Sequence, residues 1–366
     1  MKKKIAIIIT RSEIGGAQNY VYSVVDALQQ DYQFVVYIGS DGFLANKLRE
    51  NGIDVHIIQE IDSLNIISAC LKLRRSLKQQ NPDLINTHST LASTYGRLAS
   101  FSLKIPVLYS VHGWFFAENA DWSRKLFGPL VERFLARLTN HWITETQFDL
   151  DAGVKHKAIP SPVSATVIPN GIEENNAPRD TEKNHSETIS LAFIGRISNQ
   201  KNPSLAIKTM ASLPEKYTLT LYCDDASNPA LIKLIKECEL SSRIDMIDTV
   251  KQTASIIHRH DALLVTSLYE GMPLSIIEAM SAGLPIVSTN ICGLSELVRH
   301  EKNGLLVDSF SATDIAAAII RIFDNKELAL NMGNASRELY LQHHTIGAMA
   351  SNIKTVYEKL IQDQRH

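Results

Sequence analysis

Two glutamates, Glu270 and Glu278, stand eight positions apart in the stretch SLYEGMPLSIIEAMSAG, Ser267 to Gly283, within one of the most apolar parts of the chain. Leu263–Thr266 reads as a strand, Glu270-Gly271-Met272-Pro273 as its turn, and Pro273 or Leu274 as the start of a helix that ends at Gly283. Glu270 then lies at the carboxyl end of the strand. Glu278 lies just over a turn into the helix, with its side chain leaning back toward the helix N-terminus. Both carboxylates are expected to aim at one place, beside the exposed backbone N–H groups of Met272 to Ser275. Amides at a helix start hold a phosphate, and carboxylates accept hydrogen bonds from hydroxyls. The pair with its turn therefore suits a ligand that carries both. Glu278 taken alone would equally suit a half-exposed helix surface.

Three more groups follow strands. In Phe193-Ile-Gly-Arg-Ile-Ser-Asn-Gln-Lys-Asn-Pro203, Gly195 and Arg196 come after a strand and Lys201 just before a helix, with Asn202 as N-cap and Pro203 at the first helical position. Arginine and lysine beside a helix N-terminus can clamp a diphosphate; two solvated charges beside a capped helix is the alternative. Gly15, Gly16 and Ala17 follow the first strand, where small residues let backbone amides approach an anion, or simply make a tight turn. His88 and His112 each end a strand, where an acid–base or hydrogen-bonding group would face a cleft, although a lone histidine is as often structural. His112 is the stronger candidate because Gly113 leaves room beside it.

The elements that must position these residues alternate regularly. Strand-like runs at Lys4–Ile9, Gln33–Ile38, Asp54–Ile58, Leu84–Thr87, Val107–Val111 and Trp142–Thr144 are separated by helical patterns, including Ile66–Gln80, Tyr95–Ser102 and Leu126–Thr139. Val167–Ile172 closes this half, and the polar segment IEENNAPRDTEKNHSET after it is the best linker candidate. The alternation then restarts at Ile189–Ile194 and continues through Thr218–Tyr222, Ile244–Ile247, Ala262–Thr266, Pro285–Thr289 and Gly304–Val307, with Ile346–Gln362 as a last helix. Such alternation calls for parallel sheets covered by helices on both faces, whose ligands bind at the carboxyl ends of the strands. The expected domains are 1–172, 173–345 and a terminal helical segment, 346–366, packing back toward the first domain, with a cleft between the two large ones.

The chain has 366 residues, 45% hydrophobic and 21% charged, and a net charge of −2, which gives no general attraction to nucleic acid. Through Ile172 there are 18 Lys and Arg against 15 Asp and Glu; the remainder has 19 against 24. The four scattered cysteines show no metal-ligand or disulfide spacing, which fits a reducing cytoplasm. The apolar run in MKKKIAIIIT is too short for an export signal and reads as a buried first strand. No run of about 18 apolar residues is present to span a membrane.

Taken together and in order, these residues resemble the retaining glycosyltransferases of family 4, which have the GT-B fold: two Rossmann-like α/β domains with parallel sheets facing across a cleft. The resemblance covers nearly the whole chain. It rests on Gly15-Gly16, His112-Gly113, Val167–Ile172, Gly195-Arg196 with Lys201, the E-x7-E element Glu270–Glu278 and the strand Asn303–Val307. It implies that Arg196 and Lys201 bind a donor diphosphate, Glu278 the ribose hydroxyls, and Glu270 and His112 hydroxyls of the transferred sugar. Gly271, Met272, Pro273, Leu274 and Ser275 would offer amides, Gly16 would approach the diphosphate, and Gly15 and His88 complete the expected substrate contacts. The family's usual proposal is front-face substitution in which the leaving phosphate takes the acceptor proton, with no metal and no cofactor.

Three positions depart from the family pattern. Cys223-Asp224-Asp225 stands where a glycine turn is common, Asp248 follows Ile247 near the expected base site, and Asn202 replaces the glycine usual after the lysine. The first two bear on recognition of the base and leave UDP and GDP both open, with a UDP-sugar favoured. Asp149-Leu150-Asp151 has the spacing of a metal-binding DxD, but its place at a helix start makes it a cap. His112 to Phe116 followed by Trp122, Arg124, Lys125, Arg133 and Arg137 forms an aromatic and basic segment suited to a membrane interface and a lipid-diphosphate acceptor. The alternative is an ordinary helix burying Leu126, Leu130, Phe134 and Leu138. The expected activity is transfer of a sugar from a nucleotide-sugar, UDP-linked by preference, to a glycan or polyprenyl-diphosphate-linked glycan of bacterial surface polysaccharide. The expected location is the cytoplasm, with peripheral contact at the inner face of the inner membrane. A GT-B-fold epimerase and a non-catalytic nucleotide-sugar-binding protein are the alternatives.

Overall fold

The computed structural model describes residues 2–116, 122–174, 188–248 and 254–363. Most of the linker expected after Val167–Ile172 falls outside them. The chain forms two compact units, Met1–Gly171 with Ile346–His366, and Ile172–Thr345.

The first unit holds seven strands: β1 Lys3–Ile9, β2 Tyr32–Ile38, β3 Asp54–Ile57, β4 Leu84–His88, β5 Val107–Val111, β6 His141–Thr144 and β7 Ala165–Val167. They are parallel and ordered β3-β2-β1-β4-β5-β6-β7. The connecting helices are α1 Gly16–Leu28, α2 Phe43–Glu50, α3 Ile66–Gln80, α4 Thr90–Ser100, α5 Trp122–Leu135 and α6 Gln147–Lys155. A parallel sheet with helices on both faces buries both sides of each strand, which is why Ile5, Ile7, Ile8 and Ile9 run without polar alternation and are all fully buried. One face packs α1 and α2 side chains such as Val21, Val24 and Leu44 together with Met349, Ile353 and Tyr357 near the C-terminus. The other packs Leu73 and Leu77 of α3 and Tyr95 of α4. α3 ends where Asn81 turns into the left-handed region, φ 45°, before Pro82.

The second unit repeats the plan with six parallel strands: β8 Ile189–Ile194, β9 Tyr217–Cys223, β10 Ile244–Asp248, β11 Ala262–Val265, β12 Ile286–Thr289 and β13 Gly304–Val307, ordered β10-β9-β8-β11-β12-β13. Its helices are α7 Pro203–Ala211, α8 Pro229–Glu237, α9 Ala254–Ile257, α10 Leu274–Ser281, α11 Ala312–Phe323 and α12 Lys326–His343; α13, Ile346–Asp363, belongs to the first unit. In both sheets the strand order reverses beside the first strand, between β1 and β4 and between β8 and β11. A crevice opens at such a switch point, outside the strands' carboxyl ends.

Candidate active site

At the β8/β11 switch point the loops after the two strands are joined. Lys201 Nζ lies 2.6 Å from Glu270 Oε1, and the Ser267 hydroxyl donates to the same oxygen at 2.8 Å. The lysine side chain is 18% exposed and the glutamate 7%, so the pair is largely shielded from solvent. The loops are also stitched by their backbones. The Thr266 hydroxyl reaches the carbonyls of Lys201 and Asn202 at 3.2 and 2.9 Å, and Leu268 N–H donates to Gln200 at 2.7 Å. Gly195 is where the lysine stem lies against the strand end: a Cβ there would stand 3.0 Å from Lys201 Cγ and Cδ. Gly293 supports the other loop. It has φ 88°, and a Cβ on it would meet the Gly271 carbonyl oxygen at 2.9 Å. Arg196 is exposed and makes no ion pair or hydrogen bond among the described residues.

Two sequence expectations change here. Asn202 precedes α7, but its side chain makes no capping bond; its backbone is left-handed, φ 51°, ψ 54°. That conformation is the one glycine adopts most freely and asparagine tolerates best among the other residues, so asparagine in place of the usual glycine preserves the turn. Met272 and Pro273, expected to offer amides to the ligand, have buried side chains, Met272 within the apolar core, so neither side chain is a contact. Proline also has no N–H to offer. On α10, Leu274, Ser275 and Glu278 are half-buried while Ile276, Ile277, Ala279 and Met280 are buried. Positions 274, 275 and 278 share one helix face, and the N–H groups of Leu274 and Ser275 belong to the first turn, which has no partners within its own helix.

The unusual acids at the other strand ends have local work. Asp224 accepts from Ile197 N–H at 2.7 Å, and Asp248 accepts from Ala226 N–H at 2.7 Å. Asp225 accepts from the Ser227 hydroxyl, which holds its carboxyl below the usual aspartate value.

In the first unit, β4, β5 and β6 each deliver one polar group to a connected row. Glu145 Oε1 is 2.6 Å from His112 Nδ1, and His112 Nε2 is 3.0 Å from His88 Nδ1. The two rings meet edge to edge across this contact, nearly coplanar at 20° with centroids 5.3 Å apart, and Tyr20 of α1 sets its ring edge-on to His112 at 4.9 Å. His88 is fully buried and serves as a partner of His112. Burial, then the neighbouring His112, push the His88 pKa well below its ordinary value, and burial raises the Tyr20 phenol well above its own. Glu145 and Tyr20 escaped the sequence reading, although Glu145 directly follows β6, the position that singled out both histidines. Gly15 is extended, φ −172°, and a Cβ at Gly16 would meet nothing within 4 Å. A Cβ at Gly15 would stand 2.6 Å from Gln18 Oε1 and displace that side chain, whereas Gly16 is unconstrained by its surroundings.

Asp149 is the third residue of α6, not its cap. Thr146 caps the helix by accepting from Asp149 N–H at 3.0 Å, and its hydroxyl donates back to Asp149 Oδ2 at 2.7 Å.

The stripe expected on α5 is divided: Leu138, just beyond the helix, is half-buried. Leu126, Leu130 and Phe134, expected in the core in one reading, are 55%, 57% and 57% exposed. The face turned inward carries Gly128, Glu132 and Leu135. Glu132 takes both terminal nitrogens of Arg97 on α4, at 2.7 and 3.0 Å. The helix is docked by a buried ion pair, and its apolar stripe is left outside.

Residues 174–339 match the family described as "Glycosyl transferases group 1", and residues 14–176 match "Glycosyltransferase Family 4". The O-antigen biosynthesis glycosyltransferase WbnH of Escherichia coli is 28% identical over 326 residues, 89% of this chain and 91% of the relative. The E. coli UDP-Gal:alpha-D-GlcNAc-diphosphoundecaprenol alpha-1,3-galactosyltransferase is 27% identical over 321 residues, 83% of this chain and 82% of the relative. Among solved structures, Anabaena Alr3699/HepE, in complex with UDP, superimposes with a TM-score of 0.83 at 19% identity, covering 98% of this chain and 100% of that one. That likeness concerns the fold, and it makes the two doubly wound units those of the GT-B architecture. The matched segments together run from residue 14 to residue 339, and the chain belongs to the family 4 glycosyltransferases.

Proposed function

We propose that this glycosyltransferase moves a hexose from a UDP-sugar to a lipid-diphosphate-linked glycan in surface polysaccharide assembly, with retention of anomeric configuration. The observation that carries the reading is the Lys201–Glu270 pair at the switch point between β8 and β11. A cation and a carboxylate held together there serve the two ends of one donor. Lys201 and the exposed Arg196 take the diphosphate, and Glu270 accepts from a sugar hydroxyl. Glu278, on the half-buried face of α10, takes the ribose, with the first-turn amides of Leu274 and Ser275 beside it. For His112 of the first unit the proposed role is the one the family resemblance implies, contact with a hydroxyl of the transferred sugar.

Negative charge grows on the diphosphate as the glycosidic bond breaks, so fixed cations there stabilise the transition state more than the ground state. The acceptor hydroxyl attacks the anomeric carbon from the same face, and its proton passes to the departing phosphate oxygen. The reading assigns charge neutralisation to Arg196 and Lys201 and uses no metal or cofactor. Relatives named for O-antigen synthesis and for a diphosphoundecaprenol-linked acceptor support the acceptor class. The test is a screen of UDP-galactose, UDP-glucose, UDP-N-acetylglucosamine and GDP-mannose against a GlcNAc-diphospholipid. Release of UDP with an α-linked product is expected. Conversion of the donor without acceptor would indicate an epimerase, and saturable binding without product a binding module.

The outward stripe of α5 supports the finer reading that the enzyme works in the cytoplasm against the inner membrane, where a lipid-linked acceptor is found. The acid of that helix, Glu132, is buried against Arg97, and the exposed Lys125 and Arg133 stand among the exposed Leu126, Leu130 and Phe134. Arg133, Arg137 and Lys157 also line a cavity of about 470 Å³. An exposed apolar face flanked by cations suits an anionic bilayer. No helix among the described residues is long and apolar enough to cross one. Co-sedimentation with phosphatidylglycerol vesicles, and not with phosphatidylcholine vesicles, is expected. Leu126→Asp with Leu130→Asp should reduce it by about tenfold or more, since each apolar contact is worth about 1 kcal/mol or more. Equal binding by parent and variant would remove α5 from the interface.

A further inference from the structure

We propose that Glu145 is the positioning residue of the strand-end histidines: it holds His112 with its proton on Nδ1, so that Nε2 is offered to the sugar as a hydrogen-bond acceptor. The functional half of this rests on the reading in which His112 meets the transferred sugar; the tautomer half rests on geometry alone.

A carboxylate accepts hydrogen bonds and cannot donate them. At 2.6 Å from Glu145 Oε1, His112 Nδ1 therefore carries the hydrogen. A neutral imidazole then has a bare lone pair on Nε2, and that atom stands 3.0 Å from His88 Nδ1. Two bare nitrogens would repel at this distance, so the hydrogen between the rings belongs to His88. His88 can supply it and stay neutral, because its remaining nitrogen, Nε2, is buried without a partner and need carry no proton. Burial opposes a charge on this ring in any case. With His112 neutral, one arrangement satisfies both contacts: Glu145 accepts from His112, and His112 accepts from His88.

The consequence is chemical selectivity. In the resting chain His88 fills the acceptor lone pair of His112. A sugar hydroxyl that reaches Nε2 must displace the His88 N–H or share the lone pair with it, and in either case it must be the donor. His112 thus reads an O–H group, and loss of Glu145 frees the ring to present Nε2–H instead, which reads an acceptor. The side chain that sets the preference never touches the sugar.

The experiment uses the full-length protein labelled with ¹⁵N-histidine, with the two ring spin systems assigned by His88→Gln and His112→Ala. The parent is expected to show His112 as the Nδ1–H tautomer. Glu145→Gln should keep that tautomer, because the amide oxygen can still accept. Glu145→Leu should show the Nε2–H form or exchange between the two. With UDP-galactose, the first donor of the screen, Glu145→Leu should lower kcat/KM by about tenfold or more, the scale of one misdirected hydrogen bond, while Glu145→Gln stays within about threefold of the parent. Binding of UDP alone should be unchanged in both, and thermal melts establish that both variants fold. A parent spectrum with His112 as Nε2–H or as the doubly protonated imidazolium, a Glu145→Leu spectrum identical to the parent's, or undiminished kcat/KM in Glu145→Leu overturns the proposal. If His112→Ala transfers sugar as well as the parent, the sugar contact of His112 fails, and the tautomer assignment is then judged on the spectra alone.

Discussion

Glu132→Ala is expected to destabilise the first unit by about 3–5 kcal/mol, the usual consequence of leaving one member of a buried ion pair without its partner. Arg97 and Glu132 are both 0% exposed and joined by two hydrogen bonds. The guanidinium also lies over the Tyr109 ring, 4.5 Å from its centroid. With Glu132 removed, that charge keeps its burial and loses its counter-ion. Arg97→Met should be damaging for the mirrored reason. The double replacement Arg97→Met with Glu132→Leu should recover most of the loss, since desolvating two charges often offsets their attraction and an apolar pair of similar volume needs no such compensation. The measurement can be made unit by unit. All three tryptophans, Trp114, Trp122 and Trp142, lie in the first unit, so tryptophan fluorescence during urea unfolding follows that unit alone. A single variant as stable as the parent would mean that the pair contributes little and that α5 is held by Gly128 and Leu135 instead.

The same ion pair shows where sequence patterning stops. The period of α5 was legible: Leu126, Leu130 and Phe134 recur every four residues and do form one stripe. The direction of the stripe was not, because periodicity marks a face without saying what lies against it. The deciding contact joins residues 35 apart in sequence, and neither Arg97 nor Glu132 stands out in its own segment. The strands were legible for the opposite reason. Sheets buried on both faces leave unbroken apolar runs such as Ile5 to Ile9, and the rule that ligands gather in the loops after strands then points to His88, His112, Lys201 and Glu270. Glu145 obeys the same rule, after a strand read from Trp142 to Thr144, and was passed over because an acid there has no partner until the fold brings His112 to it. Asn202 was read as a side-chain cap because its residue type favours that role; its backbone angles, which no composition reveals, assign it a different one.

Lys201→Ala and Glu270→Ala should both lower kcat/KM by about 10²–10³, the range for losing one group that stabilises developing charge or orients the reacting sugar. Their effects on UDP alone should have opposite signs. In the resting protein Glu270 holds the ammonium of Lys201 at 2.6 Å and accepts the Ser267 hydroxyl with the same oxygen. A diphosphate must draw Lys201 away from that carboxylate or share it. Lys201→Ala removes a charge-assisted contact of about 1.5–3 kcal/mol and should weaken UDP binding by about tenfold or more. Glu270→Ala removes the competitor, so UDP should bind as tightly as to the parent or several-fold more tightly, even as transfer collapses. Gly195→Ala adds a third arm. Its new methyl group would press on Cγ and Cδ of Lys201 at 3.0 Å, which should displace the ammonium from both partners and resemble a mild Lys201→Ala. Calorimetric titration with UDP separates these cases. If Glu270→Ala weakens UDP as much as Lys201→Ala does, the carboxylate orients the lysine for phosphate rather than competing for it, and the role of Glu270 moves from the sugar to the loop that carries Lys201.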